Sequence, residues 1–149
     1  MAARKTSDIA GDMLTDCAAG RVRQISRVIT AHYDDALRGH GVTANQLTIL
    51  CLLSALGPCR SVDLEPYLAS DQSTLSRSLS RMTKNGWLRK VADADGRATR
   101  LTLTATGEAM IRKCHGDWRK AQDWAETLLS PQGVKNLKKV AKAVNPLLP

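Results

Sequence analysis

Asp95-Gly96-Arg97 lies in a Gly/Asp-rich turn between two short apolar segments, and this stretch constrains the fold more than any other. Gly86-Trp87-Leu88-Arg89-Lys90-Val91 precedes the turn, and Arg100-Leu101-Thr102-Leu103-Thr104 follows it. Upstream, residues 71 to 85 carry the spacing of a polar helix rich in Ser, Thr and Arg. Helix, strand, basic turn, strand is the order of a winged helix-turn-helix. Such a module lays a helix in the major groove of DNA and lowers a basic wingtip beside it. The expected fold is mainly α with a small β-wing.

The rest of the chain fits around that module. From about Asp12 to Leu37, Ala18, Val22, Ile25, Ile29, Tyr33 and Leu37 form one stripe of a long helix. Residues 1 to 10 read as a frayed polar lead, and Gly39 and Gly41 end the helix. Thr43-Ala44-Asn45-Gln46 has the pattern of a capping box opening an almost wholly apolar helix to about Leu56, which Gly57-Pro58 stops. Ser61 to Leu68 is a short helix, and Ala69-Ser70-Asp71 is a turn.

In the helix from 72 to 85, Leu75, Leu79 and Met82 share one narrow stripe. Ser73, Ser76, Arg77, Ser80 and Lys84 fall on the far side, flanked by Thr74 and Arg81. No acid stands between Gln72 and Lys84, whereas a merely solvated helix face usually favours Glu, Lys and Gln. Small hydroxyls beside arginines suit close approach to phosphates and base edges. Asn85-Gly86 closes this helix, and strands are expected at Leu88–Val91 and Thr99–Leu103.

Thr104 caps a long helix to about Leu129, with Ile111, Cys114, Trp118, Ala121, Ala125 and Leu128 spaced close to a coiled-coil seam. Ser130-Pro131 is a cap with proline at the first helical position, opening a last helix through Val134, Leu137, Ala141 and Val144. A lone winged helix needs only residues 43 to 104. The outer segments, 1 to 42 and 105 to 149, are expected to pair with a second copy, setting two recognition helices on successive grooves.

Composition narrows the partners. Lys and Arg exceed Asp and Glu by 22 to 14, a formal net charge of +8, which favours polyanions. Phe is absent and aromatics are 3% of the chain, which argues against a base-stacking platform for single strands. No apolar run approaches the roughly 20 residues of a membrane span, and no signal peptide is evident, so a cytoplasmic protein is expected. Cys17, Cys51, Cys59 and Cys114 are scattered without metal-site spacing, and His32, His40 and His115 form no ligand cluster. No nucleophile elbow, P-loop or dinucleotide fingerprint is present. Neither an enzyme, a metal nor a cofactor is expected.

From about Cys17 to Val144 the chain resembles the MarR family of bacterial transcriptional regulators. Asp95-Gly96-Arg97 followed by Leu101-Thr102-Leu103-Thr104-Ala105-Thr106-Gly107 fits that family's wing signature, D-x-R then L-T-x-x-G. The resemblance implies a homodimer on pseudo-palindromic double-stranded DNA. Gln72, Ser73, Thr74, Ser76, Arg77, Arg81 and Lys84 form the expected DNA-binding face. Arg97 matches the wing arginine that enters the minor groove, and Asp95 its supporting partner. The resemblance also implies release from DNA by a small aromatic or anionic effector. Arg27 matches a position that holds an anionic group, its other reading being a surface or DNA-backbone arginine. Leu47 and Cys51 would supply apolar wall. Ala44 stands where the family often has tyrosine.

Three other readings share these features, among them a winged helix used for protein contacts with its basic face incidental. Another is an architectural protein binding DNA without sequence choice. The third is a redox-responsive regulator, but the reactive cysteine of that branch would fall at Ala19, and Cys17 misses it by two residues, about 200° around a helix.

Overall fold

The computed structural model describes residues 4–93 and 99–147. In chain order its elements are α1 (Thr6–Asp16), α2 (Ala18–Leu37), α3 (Ala44–Leu56), α4 (Ser61–Leu64), α5 (Gln72–Lys84), β1 (Leu88–Ala92), β2 (Thr99–Leu103) and α6 (Ala105–Val144). Short 3-10 turns at Arg38–His40 and Glu65–Tyr67 follow α2 and α4.

The N-terminal reading needs correction. The segment expected to be a frayed lead is helical from Thr6, and the single helix expected from Asp12 is broken at Cys17. Ile9, Met13 and Leu14 share a helical spacing that begins upstream of Asp12, and Asp8 in the first turn favours the helix dipole. Cys17 is extended (ψ 99°), and its Sγ accepts the Gly20 amide at 3.3 Å, so it caps α2.

The core forms where α3, α5, the β-ribbon and the first half of α6 meet. Ile49, Leu50, Leu64, Leu75, Met82, Leu88 and Cys114 are fully buried there. α3 opens with the expected capping box: Thr43 Oγ1 accepts the Gln46 amide at 3.2 Å, and Gln46 Oε1 accepts the Thr43 amide at 3.0 Å. β1 and β2 pair antiparallel from Leu88 opposite Leu103 to Ala92 opposite Thr99. Cys59 adds an isolated bridge on the other side of β2 that the sequence did not announce, exchanging two backbone bonds with Leu101 at 2.8 and 3.1 Å.

Thr104 and Gly107 join the wing to α6. Thr104 Oγ1 donates to the Gly86 carbonyl at 2.6 Å and accepts the Gly107 amide at 3.1 Å. A Cβ on Gly107 would lie 2.2 Å from the Trp87 carbonyl oxygen, so only glycine lets the helix start this close to the ribbon.

α6 kinks where the sequence predicted a new cap. Ser130 leaves helical geometry (φ 62°, ψ 159°), its Oγ accepts the Gly133 amide at 3.3 Å, and Pro131 follows. Part of the α6 seam is filled within the chain: Cys114, Ala121 and Ala125 are buried. α2 is tied to α6 by Tyr33 donating to Gln122 and by His32 stacked on Trp124 at 3.8 Å, and the 3-10 turn after α2 by His40 bonding Asp117 at 2.9 Å. Among the described residues no helix is long and apolar enough to cross a membrane.

Candidate nucleic-acid interface

α5 turns one side inward and the other outward. Leu75, Leu79 and Met82 are buried, whereas Gln72, Ser73, Thr74, Ser76, Arg77, Ser80, Arg81 and Lys84 are all exposed. Burial of the leucine stripe against the core fixes the rotation of the helix, and the polar stripe faces solvent as a consequence.

Asp71 starts the helix and organises its first turn. Its Oδ1 accepts the Thr74 amide at 2.8 Å and the Ser73 hydroxyl at 2.6 Å, and its Oδ2 accepts the Thr74 hydroxyl at 2.9 Å. The Ser73 hydroxyl, then the Thr74 amide and hydroxyl, hold the Asp71 carboxyl well below the usual carboxylate range. Arg77 leans back onto this turn, with Nε 3.3 Å from the Ser73 carbonyl and Nη2 3.4 Å from both hydroxyls. Ser73 and Thr74 are therefore occupied donors in the free protein, and Arg77 is held over the start of the helix.

A groove of about 920 Å3 runs between α5 and the ribbon. From α5 it is lined by Gln72, Ser73, Ser76, Ser80 and Lys84, and from the strands by Lys90 and Thr99. Thr74, Arg77 and Arg81 stand on α5 outside this lining. Lys90 and Thr99 were not singled out in the sequence. Alternation along β1 puts Lys90 on the same face as buried Leu88, and it pairs with Leu101, but a lone strand lysine carries no signal of the helix it faces.

The wingtip residues Asp95 and Arg97 lie outside the described residues. At the base of the wing, Arg100 donates from Nε to Asp93 Oδ1 at 2.8 Å and from Nη2 to Asp93 Oδ2 at 3.0 Å. Arg100 Nη1 also reaches the Pro58 carbonyl at 3.2 Å.

The residues expected around an effector separate into two places. Leu47 and Cys51 line a cavity of about 390 Å3 between α2, α3 and α6, with Tyr33, Ile111 and Trp118. Arg27 does not line this cavity. It borders a shallow depression on the outside of α2 with Val22, Arg23 and Asp34. Tyr33 is the α2 residue that faces the cavity, and Arg27, six positions earlier, is rotated about 120° away from it on a regular helix.

Residues 42–107 match the model of a winged helix DNA-binding domain. Over 109 residues the chain is 30% identical to the multiple antibiotic resistance protein MarR of Salmonella typhimurium, an alignment covering 70% of this chain and 74% of that protein. The chain belongs to the MarR family of transcriptional regulators.

Solved structures agree with the MarR fold. The Mycobacterium tuberculosis regulator MosR, crystallised in complex with DNA, is similar with a TM-score of 0.73 at 29% identity, over 90% of this chain and 100% of that one. Bordetella bronchiseptica BpsR, whose DNA binding is regulated by 6-hydroxynicotinic acid, has a TM-score of 0.78 at 21% identity, over 87% and 94% of the two chains. The β1–β2 ribbon is the wing of this winged-helix fold.

Proposed function

We propose that this MarR-family regulator is a homodimeric, sequence-specific repressor that binds an inverted-repeat operator and leaves it when a small aromatic effector binds. It works by binding and not by catalysis, in the cytoplasm. The observation that carries the reading is the exposed face of α5, free of acids from Gln72 to Lys84 and standing over a groove it shares with the wing. Arg77 and Arg81 would read base edges, and Lys84 would hold phosphate. Arg97 would enter the flanking minor groove, with Asp95 supporting the wing.

Exposed apolar side chains support the pairing of two copies. Leu14 on α1 is 83% exposed, Val22 on α2 is 65% exposed, and Val144 at the end of α6 is 80% exposed. Leu128, Leu137 and Val140 add to the same class on α6. Such surface belongs in an interface. Residues 1–42 and 105–149 would form the dimerising part around the DNA-binding residues 43–104. The cavity beside Leu47 and Cys51 is the effector site in this reading, because it lies between α3 of the DNA-binding part and the α2 and α6 helices of the dimerising part.

A redox-driven release is less well supported. Burial pushes the Cys51 thiol up, and burial is likewise the main cause of the raised Cys59 and Cys114 thiols. A raised thiol holds less of the nucleophilic thiolate.

Selection of bound duplexes from a random pool tests the proposal. The expected product is an inverted repeat with half-sites one helical turn apart, about 10 base pairs, or a multiple of it. Recovery of unrelated sequences, or of single unpaired half-sites, would contradict it.

A further inference from the structure

Beyond its kink at Ser130, α6 presents a basic face. Lys135, Lys138, Lys139 and Lys142 are all exposed, and on a regular helix they fall within about 100° of arc. The earlier half of α6 is different. There Arg112, Arg119 and Lys120 each pair with an acid of the same helix, Glu108, Asp123 and Asp117. After Glu126 the sequence supplies no acid. A face made only for solvation mixes both signs, whereas a block of one sign suits a polyanion.

The other sides of this helix leave the basic face open. Leu137, Val140 and Val144 are exposed apolar residues, and they lie about 180° from the middle of the lysine arc. The half-buried Val134 and Ala141 lie between the two faces. A second copy that covers the apolar face therefore leaves the lysines in water.

The end of α6 is fixed beside the DNA-binding part. Asn145 Nδ2 donates to the Pro66 carbonyl, in the 3-10 turn after α4. Asn145 Oδ1 accepts the Leu147 amide at 3.1 Å, which holds the side-chain amide in that orientation. Glu65, next to Pro66, lines the groove that α5 shares with the wing. Lys142 stands one helical turn before Asn145, and the lysine face runs back from it about 10 Å to Lys135. A DNA duplex carries about six charges over that length.

We propose that the lysine face of α6 is a second DNA-binding surface, which holds the phosphate backbone and continues the contact made by α5 and the wing. Lysines on phosphates release counterions, so they add affinity and salt dependence without sequence choice. The proposal rests on the DNA-binding reading above, and not on operator choice.

Binding of the full chain to the selected operator with its flanks, and to a random duplex of equal length, is measured across a range of salt. A variant with Lys135→Gln, Lys138→Gln, Lys139→Gln and Lys142→Gln is expected to lower the salt slope by at least about 2 on both duplexes, with their affinity ratio unchanged. Arginine at the same four positions restores the slope. A control removes as many positive charges from the earlier half of α6, through Arg112→Gln, Lys113→Gln, Arg119→Gln and Lys120→Gln, and is expected to change the slope by less than about 1. Lys138→Gln alone, expected to lower the slope by about 1, carries the test if the fourfold variant changes its mass in sedimentation. An unchanged slope in the Gln variants overturns the proposal. So does an equal fall in the control, which would make the effect one of net charge. Binding to phosphatidylserine vesicles that the fourfold Gln variant loses, with its DNA binding intact, overturns it in favour of a lipid surface. A fallen slope without operator preference sinks the sequence-specific reading and leaves this surface standing. Operator preference with an unchanged slope does the reverse.

Discussion

Arg100 and Asp93 close the base of the wing with two parallel bonds, 2.8 and 3.0 Å long, between guanidinium and carboxylate. The same arginine reaches across to the Pro58 carbonyl at 3.2 Å, so one side chain ties β2, the end of β1 and the loop after α3. Fork-to-fork geometry of this kind fixes direction as well as distance. Asp93 is the last described residue before 94–98, and Arg100 stands on β2 just after them.

Arg100→Gln is therefore expected to weaken DNA binding several-fold on specific and random duplexes alike, with little change in preferred core bases. Arg100→Lys keeps the charge but loses the fork, and is expected to fall between wild type and Gln. Hydrogen exchange of the β1 and β2 amides should quicken in the Gln variant. Unchanged exchange together with unchanged affinity would mean the clasp has no part in placing the wing.

Arg77 and Lys84 divide the work of α5. Arginine can bond a guanine edge with both arms of its fork, whereas lysine at the helix end and in the groove suits phosphate. Arg77→Ala should cost about 1–3 kcal/mol on the operator and relax base selection. Lys84→Ala should weaken all sequences equally and lower the salt slope by about 1. Equal losses for both variants on specific and random DNA would contradict the assignment.

Asp71 makes α5 sensitive to acid. Its carboxyl is held low in the folded chain, first by the Ser73 hydroxyl and then by Thr74. A carboxyl depressed by folding contributes stability above its unfolded value, about pH 3.9, and that contribution is lost as pH falls toward the folded value. Asp71→Ala should lower the melting temperature by a constant few degrees at neutral pH, and the gap to wild type should shrink below about pH 4. A gap independent of pH would show that the cap acts through shape and not through charge.

Gly107→Ala should be severe. The new methyl would lie 2.2 Å from the Trp87 carbonyl oxygen and 3.0 Å from Leu103 Cδ2, and neither the ribbon backbone nor the packed leucine yields cheaply. We expect a loss of about 1–3 kcal/mol or more in chemical denaturation. A variant as stable as wild type would show that α6 can start further from the ribbon.

Much of this was legible in local patterns. Thr43 with Gln46, Thr104 with Gly107, and Ser130 with Pro131 each mark a helix start through chemistry confined to four residues, and all three are found in the structure. The leucine stripe of α5 foretold which face turns outward. What escaped depends on contacts between distant segments. Cys59 joins the ribbon only because the loop after α3 returns to Leu101. Lys90 and Thr99 enter the groove only once the ribbon folds beside α5. The break at Cys17 interrupts a stripe that reads as continuous, since Ala18 to Leu37 keeps its period on the far side. Arg27 and Tyr33 lie on one helix, and only the packing of α3 and α6 decides which of them faces the cavity.

The central claim is that this chain chooses among DNA sequences through the exposed face of α5. Affinity for the selected operator and for a random duplex of equal length, measured across a range of salt, tests it most directly. The account predicts an operator preference of roughly a thousandfold or more near physiological salt, with both affinities falling as salt rises. A ratio near one, with a steep salt dependence shared by both duplexes, would contradict it and mark the protein as a non-specific, architectural binder.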